Sequence, residues 1–153
     1  MEPTIAGYLD FLRNSVGIPV NALPNDSPWI GATFDFALKT VNMDLQVVTG
    51  GSDAYPSYYA IAVYNFGTAM LIEWAPDQTG STYFAVLREK FKIFTFIAGV
   101  ISSSSDESTS QSIDVADAFK GLTIGDLQLL KTPWGRAYLA MAQNAGPTIW
   151  GLS

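Results

Sequence analysis

The chain has 153 residues, 48% of them apolar and 14% charged, with a net charge of −6. That length suits one domain with a full core. Eight basic residues are too few for a broad phosphate-binding face, which argues against sequence-specific nucleic-acid recognition. The absence of histidine and cysteine removes Ser-His-Asp and Cys-His catalysis, disulfides and nearly all zinc or iron sites.

Met1-Glu2-Pro3-Thr4 lacks the basic and apolar pattern of a secretory leader, so a signal peptide is not expected. Pro3 and Thr4 can open a first helix with Ile5, Tyr8, Leu9 and Leu12 on one stripe, ended by Gly17 and Pro19. After the loop "IPVNALPND", Ser27 is a cap and Pro28 fits the first helical position. The second helix is expected to bury Trp29, Ala32, Phe36 and Val41, widened by Phe34 and Leu38. A third helix is expected to begin at Ser52-Asp53 and to run to Pro76. Its stretch 58–75 reaches the lower length limit of a membrane span. Asn65 and Glu73 are costly in hydrocarbon and no Lys or Arg flanks the stretch, so burial by neighbouring helices is the expectation.

A fourth helix is expected from Thr82 to Ile101, its core stripe formed by Phe84, Leu87, Phe91, Phe94, Ala98 and Ile101. Arg88, Glu89, Lys90 and Lys92 are the densest charge in the chain. They read either as a solvated face or as a subunit contact in which Glu89 meets a neighbour's base. The run "SSSSDESTSQ" is too poor in apolar residues to fold alone. In "SIDVADAF" after it, Ile113 and Val115 alternate with polar residues as in a short strand. That strand pairs either within a hairpin arm over about 102–119 or with another chain. Helical patterns return in "LTIGDLQLL" and, from Thr132 and Pro133, in "WGRAYLAMAQNA", which stops at Gly146-Pro147. The last segment, 146–153, is apolar, with Ile149, Trp150 and Leu152.

The fold class expected is mainly α: a small bundle of about five helices in one domain, with a strand or hairpin arm. No phosphate-binding loop is present. Asp106, Glu107, Asp114 and Asp117 are conceivable oxygen ligands, but their spacing fits no calcium loop. No catalytic, cofactor or metal residue is therefore assigned, and the chain is not expected to be an enzyme. A hydrolase working through two carboxylates stays open as a rival, and needs both acids in one cleft.

One stretch is more specific. "SQSIDVADAFKGLTIGDLQLLKTPWGRAYLAMAQNAGPTIWGL" resembles the C-terminal half of the head–tail connector (neck adaptor) proteins of tailed bacteriophages. The matching residues are Ser110 to Val115, Thr132, Pro133, Trp134, Gly135, Arg136, Tyr138, Leu139 and Gly146 to Leu152. The resemblance implies a structural virion protein that forms a homo-oligomeric ring under the portal, of about twelve copies, around a channel through which genomic DNA passes without sequence-specific binding. It implies the portal and a tail or second neck protein as partners, no membrane, and a place in the phage neck after assembly in the host cytoplasm. On this reading Arg88, Glu89, Lys92, Ile113 and Val115 are candidate subunit contacts, and Ile149, Trp150 and Leu152 are candidates for docking on the portal or tail. The alternatives are a tail-completion subunit and a small membrane-associated protein using 58–75.

Overall fold

The structure, a computed structural model, describes residues 2–41, 56–94 and 124–144. It is mainly helical: α1 (Ile5–Asp10) continuing as a π-helical turn (Phe11–Val16), α2 (Pro28–Thr40), α3 (Tyr58–Trp74), α4 (Tyr83–Lys90), α5 (Ile124–Leu129) and α6 (Pro133–Asn144). No strand occurs among the described residues. The expected arm at 102–119 and the segment 146–153 lie outside them, together with Ile113, Val115, Ile149, Trp150 and Leu152.

The helix starts follow cap chemistry. Thr4 accepts the Gly7 N–H at 3.0 Å, Ser27 the Trp29 N–H at 3.4 Å, Ser57 the Ala60 N–H at 3.1 Å and Thr132 the Gly135 N–H at 3.0 Å. Pro28 and Pro133 occupy the first position of their helices, where a missing N–H costs nothing. The π turn ends at Gly17, whose φ of 86° is left-handed. There the Gly17 and Ile18 N–H groups both donate to Leu12 O. Arg13 then donates to the carbonyls of Ile18 and Leu23 and to Asn25 Oδ1, which fixes the path of the loop into α2.

α3 is the centre of the fold. Of its 17 residues, twelve are buried, on every side of the helix. α2 and α6 cover it most extensively, and α4 packs against it as well. The ring of Tyr8 of α1 lies so close over Gly67 that a Cβ there would come within 3.1 Å of it, and it stacks on Phe34 and Tyr64 with centroids 5.7 and 5.9 Å apart. Burial by neighbours is thus the fate of the apolar stretch. Among the described residues no helix is long and apolar enough to cross a membrane.

Three sequence expectations need correction. α3 starts at Tyr58 rather than near Ser52, because Ser57 supplies the cap. α2 buries Ile30, Thr33, Phe34 and Ala37, with Val41 buried just past its end, while Ala32 and Phe36 face outward. Thr33 causes that rotation. Its hydroxyl donates to Trp29 O at 2.8 Å and lies 3.0 Å from the Tyr8 hydroxyl, so a polar residue sits inward without an orphaned group. Finally, α4 stops at Lys90, and Phe94, expected in the core, is 81% exposed. Lys92 takes a left-handed φ of 54°, its N–H donates to Glu89 O and the Ile93 N–H to Arg88 O. That pair of bonds is a Schellman ending, built here on lysine instead of the usual glycine, with Ile93 buried beside it.

Gly135 is buried under the end of α5, and a Cβ there would enter the Leu129 carbonyl. A Cβ at Gly31 would meet only Ile5 Cδ1, at an ordinary contact distance of 3.9 Å. Gly135→Ala should therefore lower stability by about 2–3 kcal/mol through overpacking. Gly31→Ala should be neutral or raise it by up to about 1 kcal/mol. Urea unfolding of the two variants, read for midpoint at constant slope, checks the contrast.

Candidate interaction surface

The C-terminal end of α3 leaves carbonyls that need donors. Arg88 of α4 supplies them: Nε donates to Ile72 O at 2.8 Å and Nη2 to Ala75 O. Its guanidinium also lies 5.9 Å from the Phe84 ring centroid. Arg88 is thus placed against its own chain. Glu89 and Lys92 form an exposed ion pair at 2.7 Å, and the Lys92 ammonium holds the Glu89 carboxyl below the usual carboxylate range. Pairs this open to water contribute little to stability.

Beyond Lys92, the carbonyl of Ile93 accepts from Gln128 Nε2 at 2.8 Å and from Lys131 Nζ at 3.1 Å. These bonds join the end of α4 to α5 and the turn before α6. Phe91 meets Trp134 edge-on with centroids 5.9 Å apart, and Lys90 Nζ lies 5.5 Å from the Phe91 ring. Arg136 donates to Leu130 O at 2.9 Å. Arg88, Lys90, Lys92, Lys131 and Arg136, five of the chain's eight basic residues, therefore gather at one corner. Sequence reasoning found the α4 part of this group. It missed Lys131 and Arg136, whose only signal was that they bracket the capped start of α6.

Glu73 sits half-buried on α3 near the same corner. Burial pushes its carboxyl above the ordinary range and the Lys131 charge partly offsets this, while burial pushes Lys131 down against the opposing effect of Glu73. Burial likewise raises the Tyr138 hydroxyl, with the Asp126 charge adding to it.

A second feature is aromatic. Phe36 packs on Phe66 at 5.8 Å and edge-on to Trp74 at 5.1 Å, and Phe66 meets Tyr138 at 5.0 Å. Phe36 and Trp74 stay 40% and 38% exposed. This is the outer rim of the seam where α2, α3 and α6 meet. The sequence placed Phe36 in the core.

Among the described residues no group of three or more acidic side chains is placed to hold a metal ion. Asp106, Glu107, Asp114 and Asp117 lie outside them. No protein-family model, no curated protein and no solved structure matches the chain.

Lys92→Gly should stabilise the fold by about 1 kcal/mol, since glycine adopts the left-handed conformation freely. Arg88→Met keeps the stem and removes the donors, and should destabilise by about 2 kcal/mol, the size of lost hydrogen bonds to a charged group. Thermal unfolding reads both. Glu73 has a folded pKa above its unfolded one, so its contribution is full at low pH and is lost as pH rises through the folded value. Glu73→Gln removes this loss. The stability of the variant relative to wild type should therefore rise between about pH 4 and about pH 7, as measured by denaturation at both values.

Proposed function

We propose that the chain is a non-enzymatic structural protein of a tailed-phage virion: a head–tail connector that assembles as a ring under the portal. The observation that carries this reading is the stretch from Ser102 to Leu152, in which a Ser-rich segment, an alternating apolar pair and the "TPWG" helix start follow each other in the order of that family. Three further properties support it. The described body is a helical bundle. The charged fraction of 14% suits a subunit flanked by neighbours in a closed ring. The acidic balance suits a channel wall that DNA slides past without adhering.

Assembly is the mechanism on this reading, driven by apolar burial between copies and onto the portal. Ile113 and Val115 pair the arm, with Glu89 and Lys92 beside the ring contact. Ile149, Trp150 and Leu152 dock, Trp150 acting as the anchor. Arg88 holds the α4 segment in place from within the subunit, through its bonds to Ile72 O and Ala75 O.

Native mass of the protein alone and after mixing with the cognate portal tests the proposal. Joining of about twelve copies to each portal is expected, and a soluble monomer that ignores the portal would sink the reading. Trp150→Ala should reduce incorporation at least about tenfold, the effect of losing a buried aromatic anchor, with helix content by circular dichroism unchanged. Normal incorporation of that variant would remove the docking role of the tail.

A further inference from the structure

We infer that the basic corner formed by α4, α5 and the start of α6 is a docking surface for the acidic stretch Asp106–Asp117 of the same chain. The corner presents Lys90 and Lys92 beside the edge-on pair Phe91 and Trp134, with Lys131 and Arg136 next to them. Glu89 is already matched by Lys92, and Glu73 faces Lys131. Arg88 and Arg136 donate to backbone carbonyls, which carry no net charge. Counting Asp126 of α5 with Glu73 and Glu89, three acids stand against the five basic residues, so the corner remains positive on a chain whose net charge is −6.

Position makes the acidic stretch the natural occupant. The segment 95–123 leaves the described chain after Phe94 and rejoins it at Ile124, one turn before Gln128, and the bonds from Gln128 and Lys131 to Ile93 O bring its two ends to this corner. Within the segment Asp106, Glu107, Asp114 and Asp117 are offset by Lys120 alone. A tether of this length reaches back easily at about 3.3–3.6 Å per residue. It also keeps the effective concentration of those acids in the millimolar range. The Ser-rich run has no apolar core of its own, and the four carboxylates give the stretch a charge complementary to the corner. The inference does not depend on the connector reading, because it concerns the free subunit.

Zero-length carbodiimide coupling of lysine amines to carboxylates, on an equal mixture of ¹⁴N and ¹⁵N full-length wild-type protein, tests it directly. Expected are amide links from Lys90, Lys92 or Lys131 to Asp106, Glu107, Asp114 or Asp117, each joining residues of one isotope. Their yield should fall at least about fivefold when the salt is raised to about 0.5 M, where exposed charges are screened. Absence of these links, a yield indifferent to salt, or links found only between light and heavy copies would overturn the proposal. So would displacement of the links by a single-stranded oligonucleotide at equal concentration, which would make nucleic acid the occupant.

Discussion

A helix that is apolar on every side cannot stand at a surface in water, and α3 is such a helix. Its burial dictates where the other elements go. α2 and α6 cover most of it, α1 adds the Tyr8 ring against Gly67, and α4 reaches over the end with Arg88. Each covering helix can then be short, because most of its stability comes from the face it buries and little from intrinsic propensity. α1 and α5 have only six residues each, a length that is unstable in isolation.

Complete burial has a polar side as well. α3 carries Asn65 and Thr68 inward, and both are satisfied within the helix: Asn65 Nδ2 donates to Ile61 O at 2.8 Å and Thr68 Oγ1 to Tyr64 O at 2.7 Å. The Tyr8 hydroxyl passes its hydrogen bond to Thr33, which passes its own to Trp29 O. Because Thr33 has a single proton and donates it to a carbonyl, Tyr8 is the donor in the first of these bonds. Burial raises the Tyr8 hydroxyl well above its ordinary range, so it stays a donor at any working pH. Glu73 is the exception within α3. It remains titratable at the rim, where Lys131 shares the cost of its desolvation.

What could be read from sequence divides along the range of the interaction. The starts at Ser27-Pro28 and Thr132-Pro133 were legible because a cap is settled within four residues. The helical class and the apolar centre were legible from periodicity. The inward turn of Thr33 was not, since its partner Tyr8 lies 25 positions away. Nor was the end of α4, where lysine adopts a conformation that sequence reasoning reserves for glycine and asparagine. The basic corner depends on bonds spanning 35 and 38 positions, and no local pattern reports these. Of the contacts expected from sequence, Glu89 on α4 and Lys92 just past its end lie in the open while Arg88 turns inward.

The order of synthesis gives the α3–α6 contact another meaning. A ribosome delivers Tyr58–Trp74 before it has made Pro133–Asn144. At roughly 5–20 residues per second, the intervening chain of about sixty residues takes several seconds. Throughout that interval α3 has its first-made partners, α1 and α2, and lacks the flank that α6 will cover. The nascent protein thus passes through a stage with one open apolar side. How long that side stays open to water is set by how quickly the last helix arrives.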